Sequence, residues 1–301
     1  MHVVYISDGK AGHRSQALGL YQAMQRQHVN SSFQEISIAD LPILSLIGAI
    51  FSKQYAQLEQ APTFIFGVGS HTHLRVWLMG KVYPHAKTVI LMKPSLPISC
   101  FDYAVIPEHD AVPASDKVIV TQGALNPIVN QQRHQANRIL IALGGSSKRH
   151  GWNTEKVLTA IRQIAEQQPT ATIILTTSRR TPSDFLTQLR QQPYAAQLQI
   201  FPVEQTPQGW IFEEMQKAEA VWVTEDSVSM LFEALTAGCR VGLIEIDRLK
   251  QDRITQAVDG LLQKQLVSST THLQQLPAAS AFKEAERVAT YLLAEIEIFY
   301  M

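Results

Sequence analysis

Cysteine is scarce. Only Cys100 and Cys239 occur in 301 residues, far apart and without a CxxC or Cys/His spacing, so neither a redox pair nor a zinc site is encoded and a reduced, intracellular protein is expected. An excess of one charge is also missing. The 26 Lys+Arg balance 26 Asp+Glu, which leaves no surplus with which to displace counterions from phosphates, and nucleic acid is not an expected partner. Long apolar runs are absent too: Leu41–Phe51 (LPILSLIGAIF) is interrupted by Pro42 and Ser45 and falls well short of the ~20 residues of a membrane span, so no transmembrane segment is expected. The N-terminus, MHVVYISDGK, lacks a basic stretch followed by an apolar one and reads as a first strand instead of a signal peptide.

What is present is a chain with 46% hydrophobic residues, long enough for two domains at about 100–200 residues each. Its neutrality conceals an asymmetry. Residues 1–135 carry 10 Lys+Arg, 8 Asp+Glu and eight of the ten histidines; residues 136–301 carry 16 and 18, with only His150 and His272. Acid/base chemistry near pH 7 is therefore expected in the first half.

Short β-branched runs alternate with helix-period segments, the pattern of βα units on parallel sheets. Strands are predicted at His2–Ile6, Phe33–Ser37, Thr63–Val68, Thr88–Met92, Tyr103–Ile106 and Lys117–Thr121. The pattern restarts with Arg138–Leu143, Ala171–Thr176, Leu198–Phe201, Ala220–Thr224 and Arg240–Ile246, separated by helices at Asn153–Gln167, Pro182–Gln191, Gly209–Ala218 and Ser227–Ala237. The expected fold class is α/β: two Rossmann-like domains, residues 1–133 and 134–280, joined through the polar segment Ala124–Asn137. A last helix at 281–301 has Ala285, Val288, Ala289, Leu292, Leu293 and Ile296 at helical spacing.

Ligands of open parallel sheets bind at the carboxyl ends of strands, so the residues following each strand are informative. The first such loop is Ser7-Asp8-Gly9-Lys10-Ala11-Gly12-His13, before a helix at Arg14–Arg26; it is either a titratable site on a tight Gly turn or a helix entry with solvated polar residues. It is not a Walker loop. In Gly67-Val68-Gly69-Ser70-His71, Thr72 stands where a dinucleotide fingerprint would have its third glycine, and His71 with His73 could ligate a metal but lacks a third ligand at useful spacing.

In the second half, Gly144-Gly145-Ser146-Ser147-Lys148-Arg149 precedes a helix and joins paired glycines to two cations, an arrangement suited to a diphosphate. Ser178-Arg179-Arg180-Thr181-Pro182 places two guanidiniums at another helix start, and Asp226-Ser227-Val228-Ser229-Met230 opens a third helix carrying Glu233 one turn in. The serines serve equally as caps and as phosphate donors, while a carboxylate at Glu233 suits a ribose diol.

These residues resemble the GT-B fold of two-domain glycosyltransferases, especially the peptidoglycan-type N-acetylglucosaminyltransferase, through Gly12-His13, Gly144-Gly145-Ser146 and the spacing of Glu233 and Gly238 in FEALTAG. More closely, SDGKAGHRSQALGL, FDYAVIPEHD, TQGALNP, ALGGSSKRHGWN, TSRRTP and VTEDSVSMLFEALTAG resemble the mitochondrial-fission family of nucleoside-diphosphosugar glycosyltransferases, over about residues 2–250. The resemblance implies two domains facing a cleft and a last helix returning to the first domain. It also implies a nucleotide-sugar donor held by the second domain, Glu233 on the ribose, and the His13 loop toward the acceptor. No resident cofactor is implied, the nucleoside-diphosphate sugar being substrate.

The expected reaction is metal-independent transfer of a sugar to an acceptor hydroxyl, since no Asp-x-Asp motif occurs and Glu245-Ile246-Asp247 is the nearest approach. His13, or Asp8, would deprotonate the acceptor; Gly9, Lys10, Gly12, Ser70 and His71 would line its side. The rivals are a nucleotide-sugar epimerase and a noncatalytic scaffold of the same fold for membrane or division partners. Leu41–Phe51 is either a core-packing helix or a face that docks a cytoplasmic protein peripherally on a membrane carrying a lipid-linked, cell-envelope acceptor.

Overall fold

The computed structural model describes residues 1–300, with side chains as far as Glu295. Ile296, expected on the buried stripe of the last helix, has its side chain outside the described residues, as does all of Met301. The chain divides into two compact units, residues 1–127 with 283–301, and residues 128–282.

The first unit starts with β1 (His2–Ser7), α1 (Ala11–Gln27), β2 (Ser32–Ser37), α2 (Ile43–Ser52), β3 (Phe64–Val68), α3 (His73–Val82), β4 (Lys87–Leu91), β5 (Tyr103–Pro107) and β6 (Val118–Thr121). The strands form one parallel sheet in the order β2-β1-β3-β4-β5-β6. β1, β3 and β5 are buried along their whole length, and the helices covering both faces of β1 and β3 explain the continuous apolar runs there. Alternate residues feed separate cores: Val3, Tyr5, Phe64 and Phe66 pack with Ala17 and Leu20 of α1, whereas Val4, Ile6 and Ile65 pack with Leu46 of α2 and Val76 of α3. The sequential crossovers diverge at β1 and β3, so the carboxyl ends of these two strands form the switch point at which such sheets bind ligands. α1 begins at Ala11 and not at Arg14, so Gly12 and His13 belong to its first turn and the loop proper is shorter than expected.

The second unit contains β7 (Gln135–Ala142), β8 (His150–Gly151), α4 (Thr154–Gln167), β9 (Thr172–Thr176), α5 (Phe185–Arg190), β10 (Leu198–Phe201), α6 (Trp210–Lys217), β11 (Ala218–Thr224), α7 (Val228–Ala237), β12 (Arg240–Ile244), β13 (Asp247–Arg248) and α8 (Arg253–Gln263). Its parallel sheet has the order β10-β9-β7-β11-β12, with the switch point between β7 and β11. Three elements have no counterpart in the sequence reading. β8 and β13 pair as a two-residue antiparallel ribbon, and α8 is started by a capping box in which Asp252 and Thr255 satisfy each other's backbone N–H groups. β7 begins at Gln135, inside the segment read as linker, because its first residues pair with Ala218 of β11.

The last helix, α9 (Glu284–Tyr300), belongs to the first unit. Ala285, Val288, Ala289, Leu292 and Leu293 join the β1 and α1 core, and Arg26 of α1 forms an ion pair with Glu286 at 2.6 Å. Among the described residues, no helix is long and apolar enough to cross a membrane.

Candidate functional site

In the second unit the segments leaving β7, β9 and β11 close on one another. Gly144 N–H donates to Thr224 Oγ1 (2.6 Å) and Gly145 N–H donates to Asp226 Oδ2 (3.0 Å). A Cβ on Gly144 would lie 2.1 Å from Asp226 Oδ2, and one on Gly145 would lie 1.9 Å from the Arg180 carbonyl oxygen. The paired glycines therefore exist so that neighbouring strand ends can approach. Their N–H groups, expected to be exposed for a diphosphate, are already used.

Arg180 is likewise engaged. Its guanidinium pairs with the fully buried Asp226 carboxylate at 2.6 Å, donates to Ser227 Oγ at 3.2 Å and reaches the carbonyls of Gly145 and Ser146 at 3.4 Å each. Ser178 Oγ accepts from Arg180 N–H (3.2 Å) and Thr181 Oγ1 donates to the Gly144 carbonyl, so the turn after β9 holds this arginine against the β7 loop. Asp226 was expected to face the donor; instead one of its oxygens binds the loop and the other, Oδ1, is buried without a partner.

The loop from Ser146 to His150 also departs from expectation. Ser147 Oγ accepts from the N–H groups of Arg149 and His150 (3.1 Å each), and Arg149 Nε binds the carboxylate of Asp252 (2.7 and 3.0 Å), the residue that caps α8. Arg149 thus fastens the loop to α8, while Ser146 and Lys148 are exposed. Buried Glu225 is engaged by Arg248, which also holds Asp259 (2.7 Å).

What remains open is the start of α7. Ser227 makes no side-chain cap because its hydroxyl donates to Asp226 (3.1 Å). The first helical bond runs from Leu231 N–H to the Ser227 carbonyl (3.2 Å), which leaves the N–H groups of Val228, Ser229 and Met230 at the positive end of the helix without a capping side chain. Ser229 and Arg179 are exposed, and Met230 packs on the core below. One turn on, burial pushes the Glu233 carboxyl up to about 7, and among the described residues neither a hydrogen bond nor an ion pair reaches it. Asp226 and Glu225, two acids still more deeply buried, each have an arginine. Glu233 has none.

Glu245 and Asp247 lie elsewhere, in a groove of about 670 Å³ beside α4 and the end of β12, where Asp247 is held by Asn153 (3.0 Å) and Lys156 (3.5 Å), while Ile246 between them is in the core. None of the expected donor residues lines that groove.

In the first unit, the loops after β1 and β3 form one site. Asp8 accepts from His13 Nδ1 (2.9 and 3.0 Å), from Lys10 N–H (3.3 Å) and pairs with the Lys10 ammonium (3.2 Å). Burial alone would raise the Asp8 pKa; the hydrogen bonds from His13 and Lys10 outweigh it and hold the carboxyl below its ordinary value. With Nδ1–H given to the carboxylate, His13 keeps the lone pair of Nε2 for a proton. Asp8, one of two bases considered, is therefore the residue that orients His13: its side chain is 2% exposed against 17% for the imidazole.

Gly69, at φ 82°, sits under that imidazole, since a Cβ there would lie 2.4 Å from His13 Cε1. Ser70 and His71 are exposed next to it, as are Gly9 and Lys10. His73 turns inward: Ser95 N–H donates to its Nδ1 (3.0 Å) and burial lowers its pKa, so it and His71 do not converge on one ligand.

Residues 11–296 match the family described as mitochondrial fission ELM1. The chain belongs to that family. A relative in Rickettsia prowazekii (strain Madrid E), the uncharacterized protein RP120, is 22% identical over 289 residues, 79% of this chain and 81% of its own. Among solved structures, MurG of Acinetobacter baumannii superposes with a TM-score of 0.51 at 13% identity, over 97% of this chain and 90% of its own. The UDP-GlcNAc 2-epimerase of Methanocaldococcus jannaschii gives 0.52 at 12%, over 98% and 100%. At these identities the likeness is one of architecture: this member of the ELM1 family has the GT-B fold of two Rossmann-like domains, shared by glycosyltransferases and epimerases.

Sequence reasoning passed over several participants. Thr224 and Thr181 hold the β7 loop through their hydroxyls, and no spacing rule links either to Gly144. Glu108-His109-Asp110 directly follows β5, one residue past the predicted strand end, and Asp110 accepts from Lys93 N–H (3.4 Å) with His109 Nε2 at 4.0 Å. The rule that residues after strands carry chemistry would have found this cluster.

Proposed function

We propose that this ELM1-family chain transfers a sugar from a nucleoside diphosphate to an acceptor hydroxyl. The observation that carries the reading is the start of α7: an uncapped helix N-terminus, Arg180 fixed beside it, and the unpaired Glu233 one turn along. In this reading the N–H groups of Val228, Ser229 and Met230, with Arg180, Ser227 and Ser229, hold the diphosphate and stabilise it as it leaves. Ser146, Lys148 and Arg179 border the same assembly, and Glu233 accepts from the ribose hydroxyls. His13, oriented by Asp8, removes the proton from the acceptor hydroxyl. Lys10, Ser70 and His71 line the acceptor side, and the acceptor is a lipid-linked or cell-envelope molecule met by a cytoplasmic enzyme at the membrane.

The test is incubation with a panel of nucleoside-diphosphate sugars, following both released nucleoside diphosphate and sugar isomerisation. Slow release of nucleoside diphosphate, as transfer to water, abolished in Glu233→Ala, supports the transferase. Isomerised sugar without release identifies an epimerase instead. A thermal midpoint unmoved by every donor leaves a noncatalytic scaffold.

A further inference from the structure

α2 carries no charged residue on any face: Ile43–Ser52 reads ILSLIGAIFS. One side is core, where Leu46 and Ala49 are 0% and 6% exposed. The other side is also apolar. Leu44 is 83% exposed, Ile47 42% and Phe51 87%, and the spacing of these three residues stacks them in one stripe. Burial of one face explains Leu46 and Ala49; it does not explain a solvent face of Leu, Ile and Phe, where a packed surface helix ordinarily places polar residues. Leu74 of α3, the helix packed against α2, is exposed as well.

Along this stretch of the chain the charge has mainly one sign. From Leu41 to Phe101 the chain carries Lys53, Arg75, Lys81, Lys87 and Lys93 against Glu59 alone. Lys53 ends α2, Arg75 of α3 donates to the Leu41 carbonyl (2.9 Å) at its start, and Lys81 of α3 lies over the Trp77 ring. Asp40, just before α2, is the nearest acid in sequence on that flank. An apolar stripe with a cationic fringe supplies the two signals that together hold a protein on an anionic bilayer. The same fringe disfavours pairing with a second copy, because a two-fold contact would bring like charges together.

We infer that α2 is a membrane-docking edge: Leu44, Ile47 and Phe51 enter the headgroup–acyl boundary of an anionic bilayer while Lys53, Arg75 and Lys81 meet its phosphates. The purpose of this attachment, presenting a lipid-borne hydroxyl, rests on the transferase reading; the attachment itself does not.

Flotation with vesicles of phosphatidylcholine alone, and of phosphatidylcholine mixed equally with phosphatidylglycerol, tests it on the full chain. The wild type should float with the mixed vesicles, less so as salt is raised, and the Leu44→Gln/Phe51→Gln double variant should partition at least about tenfold less. Both proteins should keep the same circular dichroism. No flotation of the wild type, or undiminished flotation of the folded double variant, overturns the inference. So does a concentration-dependent dimer in sedimentation that the double variant abolishes, which would assign the stripe to a second copy. A panel of nucleotide sugars that shifts the melting of neither protein would refute the donor reading and leave the flotation result standing.

Discussion

Replacing Glu233 by glutamine should make the protein more stable and less active. Burial moves this carboxyl from 4.5 to about 7. Between those values the native state holds a proton that the unfolded chain has released, so stability falls as pH rises through the window, and the full penalty is present above about 7. At about 1.4 kcal/mol per tenfold change in proton affinity the move corresponds to roughly 3 kcal/mol; partial exposure reduces the expected figure to about 2 kcal/mol. Glutamine keeps the shape and removes the charge. Urea unfolding at pH 5 and pH 8.5 should therefore show wild type losing stability relative to the variant at the higher pH, with the two nearly equal at the lower. Donor binding should weaken in the variant at pH 8.5, where wild type carries the carboxylate, and change little at pH 5, where both side chains are neutral. If the two proteins share one pH dependence, Glu233 is neither desolvated nor unpaired and is not held ready for a ligand.

Gly145→Ala should destabilise by about 3 kcal/mol, since the new Cβ meets the Arg180 carbonyl at 1.9 Å. Gly12→Ala, with nothing within 4 Å in the first turn of α1, should stabilise by about 0.5–1 kcal/mol; thermal unfolding of both variants checks the opposite signs. Once a donor is known, His13→Ala should lower kcat by about 100-fold or more and Asp8→Asn should do likewise with little change in KM. Because the Asp8 carboxyl is held below its ordinary 3.8, its contribution is present at neutral pH and lost as acid titrates it, so unfolding free energies of wild type and Asp8→Asn should converge below that value. Arg180→Lys should raise KM for the donor, because an ammonium cannot hold Asp226, Ser227 and the β7 loop together in one plane.

The strands were legible to within a few residues, because buried parallel strands are short β-branched runs whatever lies beside them. Legibility ended where contacts join distant segments. That Gly144 and Gly145 are closed upon by Asp226 and Arg180 is a fact of the sheet order β9-β7-β11, and spacing along the chain does not encode it. The same holds for Arg149, read as a free cation and found capping the β7 loop onto Asp252. α8 was missed although Asp252 and Thr255 stand at capping-box spacing, and β8 and β13 are too short to show a period. α2 was ambiguous for a different reason: a helix apolar on every face does not say which face is covered. In the first unit, Asp8 and His13 were read as part of one loop, but that the carboxylate accepts from the imidazole needed the distances.

In the proposed reaction the start of α7 holds the diphosphate of a nucleotide sugar. Calorimetric titration of wild type, Arg179→Ala, Arg180→Lys and Glu233→Gln with nucleoside diphosphates and their sugars measures it directly. Saturable binding of at least one nucleoside diphosphate is expected, at least about tenfold weaker in Arg180→Lys, whose ammonium lacks the planar fork, and in Glu233→Gln, which loses the carboxylate. Binding that is equally tight in all four proteins would contradict it, as would no binding by a folded wild type to any member of the panel.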